Sequence, residues 1–255
     1  MASWELKRDQ ILVLVSKEFK LKYNSTALGF FWSLLIPFFS SIIYYFVFGI
    51  IMRFNVPNYL LYLISGTFLW QFFANVITMS GHILRNNSSL LKKTSFDRRL
   101  LIWGTFATEC IHLALTVPTL LIVMLVYGVT PDWLTVLPNL FYCLMLLTFF
   151  TMGLAYAYAA ANIYFRDLER IIGIILQMWM FMTPIFIPVS KVPEKYLWVY
   201  QINPMAGIVG IWRDIFYMPS CHISSNWHLF IVALAVFFAG RWIFKRCQSR
   251  FSEMM

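Results

Sequence analysis

Residues Tyr59 to Ile83 read YLLYLISGTFLWQFFANVITMSGHI, a run without a single Asp, Glu, Lys or Arg. A helix needs about 20 mainly apolar residues to cross the roughly 30 Å hydrocarbon core of a bilayer, so this stretch predicts a transmembrane helix. Five more long apolar runs lie at about 28–52, 100–127, 134–161, 171–188 and 226–244. Composition points the same way. Of 255 residues, 60% are hydrophobic and 12% charged, against about 45–50% apolar and 25% charged in soluble domains. Mean hydropathy is +0.71. A fold of this length has too little interior to hide that much apolar surface from water. The expectation is an all-α integral membrane protein with six transmembrane helices over residues 28–255. No length remains for a soluble catalytic domain.

Six spans place both termini on one side. The Lys and Arg residues say which. Residues 1–27 hold Lys7, Arg8, Lys17, Lys20 and Lys22, and the loop after the second span holds Arg85, Lys92, Lys93, Arg98 and Arg99. Arg166 and Arg170 follow the fourth span, and Arg241, Lys245, Arg246 and Arg250 lie at the C-terminal end. Only Arg53, Lys191, Lys195 and Arg213 fall on the other face. The positive-inside rule makes the crowded face, and both termini, cytoplasmic. The net charge of +9 is then a topology signal with some attraction to anionic membrane lipid, and a nucleic-acid partner is not implied. No cleavable signal peptide is visible ahead of residue 28. Cys110 and Cys143 fall within spans and Cys247 on the cytoplasmic face, so Cys221 has no outer partner and no disulfide framework is expected.

Residues 1–27 predict an amphipathic helix on the membrane surface, with Ile11, Leu12, Val15 and Phe19 at helical spacing among lysines and arginines. Two short charged loops, at about 85–99 and 162–170, share its side. The segment 189–225 is too long for a turn and too apolar for a solvated loop, and Pro193, Pro204 and Pro219 interrupt it. Its apolar pieces are shorter than a span, so a re-entrant outer helical hairpin is expected before the last span.

Energy and reactive groups are scarce in this chain. No glycine is followed by Lys, which excludes the phosphate-binding loop G-x-x-x-x-G-K-[ST]. His82, His112, His222 and His228 are scattered without metal-ligand spacing, so no metal is expected. Glu109 is the one carboxylate inside a span, with His112 three residues on, on the same helical face. An unpaired charge there costs at least about 2.5 kcal/mol, so the two read as a buried polar pair. The sharper alternative is a proton relay, or the acid–base pair of a membrane transferase.

Aromatic residues are abundant: 25 Phe, 13 Tyr and 10 Trp. Interfacial belts use some. In the first span, however, Phe31, Phe38 and Tyr45 repeat every seven residues, as do Trp32, Phe39 and Phe46, and Trp179 and Phe186 repeat the interval in the fifth. Stripes of rings can pack on the apolar faces of sugars without trapping any one of them. Lipid contact and helix packing use the same pattern.

The order of several short motifs is similar to a known family. Leu28-Gly29-Phe30-Phe31-Trp32-Ser33-Leu34-Leu35-Ile36-Pro37 opens the first span, and Asn162-Ile163-Tyr164-Phe165-Arg166-Asp167-Leu168 forms the second cytoplasmic loop. Met182-Thr183-Pro184-Ile185-Phe186-Ile187-Pro188 closes the fifth span, ahead of Asn203-Pro204-Met205. Over nearly its whole length the chain resembles the permease subunit of type-2 ATP-binding-cassette exporters for bacterial cell-surface polysaccharide: O-antigen, capsule and teichoic acid.

The resemblance implies a homodimer in the bacterial inner membrane, with a channel between protomers and two copies of a separate ATPase that carries the ATP and Mg. The cargo would be a polymer on a polyprenyl lipid. It also implies that Ser88, Ser89, Leu90, Leu91, Lys92, Lys93 and Asp97 belong to a coupling helix in the ATPase cleft, joined by Arg166 and Asp167. Phe31, Phe38, Tyr45, Trp179 and Phe186 become candidate channel lining. Export of a small molecule or lipid by the same kind of machine, or a proton-coupled carrier using Glu109 and His112, stands as the alternative.

Overall fold

Helix α3, Tyr59–Asn86, is the post around which the rest is built. Leu61, Leu63, Ile64, Leu69, Phe73, Val76 and Leu84 on all its sides are buried, as a helix apolar all round requires. The computed structural model describes residues 2–23, 31–87, 96–131, 133–165, 167–217 and 226–248. Around α3 stand α1 (Ala2–Tyr23), α2 (Phe31–Tyr44), α4 (Arg99–Val126), α5 (Trp133–Tyr164), α6 (Leu168–Phe181), α7 (Leu197–Ile202), α8 (Pro204–Phe216) and α9 (Trp227–Cys247). The described residues are helical or irregular, with no strand among them.

Five segments are long and apolar enough to cross a membrane: Leu34–Ile51, Tyr59–Asn86, Arg99–Val126, Val136–Tyr164 and Trp227–Cys247. The first combines α2 with a π-helical stretch, Tyr45–Ile51. The expected fifth span, 171–188, differs. Its helix α6 ends at Phe181 after 14 residues, about 21 Å at 1.5 Å per residue. Turns carry the chain through Met182–Pro188. Pro184 is the physical reason, since it has no N–H to donate and its ring collides with the carbonyl four residues earlier. The described residues thus hold five helices of spanning length, and the sixth expected span is a short helix followed by irregular chain.

The expected outer hairpin is a helix pair in part. Two 3-10 turns, Val189–Lys191 and Glu194–Tyr196, lead into α7 and α8, and residues 218–225 lie outside the described ones. Asn203 ends α7 and caps α8, its side chain accepting from the Met205 N–H at 3.1 Å, with Pro204 at the first helical position where a missing N–H costs nothing. Met205, Ile208, Val209, Trp212 and Phe216 form the buried face of α8, packed on α3 and α5.

The N-terminal helix is present, with Ile11, Leu14, Val15 and Phe19 on its less exposed side. Leu14 is buried while Leu12 and Val13 are exposed. Leu14 packs on α4 at Gly104, and the Phe19 ring lies 5.2 Å from the His112 ring. Helix α1 is therefore docked along α4.

Helices α5 and α9 form the most extensive helix pair. Gly153 and Gly240 face each other so closely that a Cβ on either would overlap the other helix's backbone. Small residues at the contact are how helices gain packing energy in lipid, where burial from water contributes nothing. Across the bundle, Ser41 of α2 meets Thr67 of α3, Oγ to Oγ1, at 2.8 Å.

Candidate functional site

Between α2, α3 and α6 lies a groove with a cavity of about 350 Å³. Tyr44 contributes from α2, Trp70, Gln71, Asn75 and Thr78 from α3, and Gln177, Met180 and Phe181 from α6. Its floor is polar although every helix around it is apolar. The Gln71 amide donates to Asn75 Oδ1 at 2.6 Å, and Asn75 Nδ2 donates to Glu109 Oε2 at 3.0 Å. His112 Nδ1 lies 3.2 Å from the same carboxylate oxygen. Glu109 and His112 are 2% and 6% exposed, so the pair expected from their i, i+3 spacing is formed and buried, and Asn75 joins it to the groove.

The predicted rings divide. Phe31 is exposed, while Phe38 and Tyr45 turn partly into the core against α3. The other seven-residue stripe faces outward: Trp32, Phe39 and Phe46 are 45%, 54% and 54% exposed. The two stripes sit about 100° apart on one helix, and only packing on α3 decides which turns in. Trp179 is partly buried among Trp70, Phe73 and Phe150, and its indole N–H donates to Asn203 Oδ1 at 2.9 Å. Phe186 is 3% exposed, with the rings of Tyr44 and Phe48 at 4.7 and 5.4 Å. In the protomer its ring therefore belongs to the core and lines no open surface.

Beyond the groove, Met182–Pro188 is held by side chains from α3, from α8 and from Asn203 at the α7–α8 junction. Tyr59 OH donates to the Phe186 carbonyl at 2.8 Å and Tyr62 OH to the Pro184 carbonyl at 2.7 Å. Asn203 Nδ2 donates to the Met182 carbonyl at 3.1 Å. Arg213 does most. Its guanidinium donates to the carbonyls of Ile185 (2.9 Å), Tyr62 (3.2 Å) and Pro184, and lies 3.5 Å over the Tyr62 ring.

Irregular backbone buried in an apolar region needs partners for its carbonyls, and the five donors of a guanidinium supply them. Gly66 makes the room, since a Cβ there would sit 2.5 Å from Arg213 Nη2. Arg213, one of the four cations expected on the outer face, is 7% exposed and fastens this segment. Its signal was a lone charged pair, Arg213-Asp214, inside an apolar helical run.

At the opposite end, Arg85 and His82 of α3 both reach Glu169 of α6 at 2.9 Å. Arg85 also donates to the Asn162 carbonyl at 2.8 Å, and Asn162 Nδ2 donates to the Gly81 carbonyl at 2.9 Å. Lys17 of α1 donates to Asn87 Oδ1 at 2.7 Å. Four helices thus meet around the residues that lead into the first charged loop. Asp97 holds the start of α4, accepting from the Arg99 backbone N–H at 3.2 Å and its side chain at 2.7 and 2.9 Å. Asp167 is exposed just before α6. Ser88, Ser89, Leu90, Leu91, Lys92, Lys93 and Arg166 lie outside the described residues. Among the described residues, no three His, Cys, Asp or Glu side chains gather as metal ligands would.

Comparison with known proteins covers the same regions. The family model for the ABC-2 type transporter matches residues 9–217. An O-antigen export system permease protein RfbA from Klebsiella pneumoniae is 32% identical over 249 residues, 97% of this chain and 95% of the relative. One of the same name from Myxococcus xanthus is 28% identical over 251 residues, 96% and 95% of the two chains. The polysialic acid transport protein KpsM of Escherichia coli is 22% identical over 247 residues, 94% and 93% of the two chains. The relatives are named as permeases and transport proteins, not as enzymes, and the chain belongs to the ABC-2 type transporter family.

Proposed function

We propose that this chain is the membrane-spanning permease of an ATP-driven exporter that moves lipid-linked, O-antigen-like polysaccharide out across the bacterial cytoplasmic membrane. End-to-end similarity to permeases named for O-antigen export carries the reading. A polar-floored groove beside an outward-facing ring stripe supports it. Two copies form the path, with the α2 and α6 regions facing each other. Both termini are cytoplasmic. The α6 segment, Met182–Pro188 and the α7–α8 pair together complete the outward part of the path, α7 and α8 dipping into the bilayer.

Two copies of a separate ATPase bind ATP and Mg and engage residues 88–97, with Asp167 and its neighbour Arg166 at the edge of the contact. ATP favours one conformation only through its different affinity for the two states. The link from Arg85 and His82 to Glu169 passes motion of the loop after α3 directly to α6, which walls the groove. Weak, repeated ring contacts then hold a polymer far longer than the bilayer is thick without stopping it.

Affinity purification of the tagged chain from native membrane tests the pairing. A separate ATPase of about 25–30 kDa, the size the family implies, is the expected companion. A permease that is isolated alone and transports without ATP contradicts the reading.

A further inference from the structure

Gln71 and Gln177 stand on facing walls of the groove, one on α3 and one on α6, and both are exposed. Gln71 lies twelve residues into a 28-residue helix of spanning length, near the depth where an amide facing lipid is most costly. Asn75 and Thr78 continue the polar floor, and the rings of Tyr44 and Phe181 flank it. None of the described residues lining the cavity is Lys, Arg, Asp or Glu. The Glu109 carboxyl lies behind Asn75, whose amide donates to its Oε2 at 3.0 Å.

Resting on the exporter reading, we propose that this groove is a subsite for uncharged, hydroxyl-rich sugar and discriminates against acidic sugar. An amide carries an acceptor and two donors, which match hydroxyls that both donate and accept. A carboxylate-bearing sugar would meet no cation among the described lining residues and would have the Glu109 carboxyl behind Asn75. Buried charge without a partner is disfavoured far more strongly than a hydroxyl with one. The flanking rings suit the apolar faces of hexoses. Gln71, Asn75 and Gln177 are therefore specificity-determining residues.

The test uses cells carrying the chain with its ATPase and supplied with one of two lipid-linked polymers. One is a neutral polygalactose. The other is polysialic acid, the acidic polymer for which the E. coli relative is named. Surface polymer is quantified, and the amount of complex in the membrane is measured in parallel. The neutral polymer should reach the surface at least about tenfold faster, and Gln71→Leu with Gln177→Leu should lower its export about tenfold at equal complex levels. Gln71→Lys with Gln177→Lys should shift the preference towards polysialic acid. Equal export of both polymers by the unaltered chain, or full export of neutral polymer by the leucine pair, overturns the proposal. If the unaltered chain moves neither polymer, the exporter reading itself falls.

Discussion

Arg85, in the last turn of α3, and Glu169, in the first turn of α6, meet at 2.9 Å, and His82 shares the same carboxylate. This joint ties the helix that leads into the first charged loop to the helix that walls the groove. Both side chains are about a third exposed, at 29% and 35%, so removing the pair should cost about 1 kcal/mol of stability or less. Its mechanical effect should be larger. We expect Glu169→Ala to leave the complex assembled and export several-fold slower at an unchanged rate of ATP hydrolysis. The exchange Arg85→Glu with Glu169→Arg should recover part of the loss. Export and hydrolysis measured together check this, and unaltered coupling in Glu169→Ala removes the joint from the mechanism.

Arg213 should behave as a fastener. Replacing it with Met strands the Ile185 carbonyl in an apolar setting and leaves the Pro184 carbonyl with the Tyr62 hydroxyl alone. About 1–3 kcal/mol should be lost, the cost of one abandoned buried acceptor. Arg213→Lys should fall between, because an ammonium has three donors and no planar fork to span the acceptors. Thermal unfolding in detergent reads both, and an unchanged midpoint for Arg213→Met contradicts the assignment.

The contact of Gly153 with Gly240 predicts a steep dependence on size. Gly240→Ala places a methyl against the Gly153 carbonyl, which is backbone and cannot swing aside. The loss should lie at or above the top of the ~1–3 kcal/mol range for overpacking. Gly173, with open space around it, is the control: Gly173→Ala should be neutral or better, as helix propensity favours Ala.

Glu109→Gln keeps an acceptor for Asn75 and the volume of the side chain. Export should therefore stay within about twofold, in keeping with a hydrogen-bonding role of modest net strength. Glu109→Leu, which strands the Asn75 amide, should destabilise the bundle. Abolished export in Glu109→Gln with intact assembly would restore the proton relay.

Much of this architecture is legible in residue order. Runs such as Tyr59–Ile83 declare themselves because nothing soluble can bury them. The i, i+3 pair of Glu109 and His112 follows from helical geometry alone. Other features depend on what lies opposite. Two ring stripes in the first span are equal as sequence, and contact with α3 turns Phe38 and Tyr45 partly inward while leaving Phe39 and Phe46 outside. The 171–188 run looks continuous in hydropathy, yet Pro184 ends its helix. Gln71, Asn75 and Gln177 are isolated amides in apolar segments and line one groove only when α3 and α6 meet. The fastening role of Arg213 is not legible because the carbonyls that need it lie some 30 residues earlier.

Export in cells from which this chain has been deleted reads the permease role most directly. The chain and its ATPase are returned singly or together, and surface polysaccharide is quantified with and without ATP hydrolysis by that ATPase. Surface polymer is expected only when both are present and the ATPase is active, with lipid-linked polymer accumulating inside in every other case. Surface polymer restored by the chain alone, or by the pair with an inactive ATPase, would contradict it.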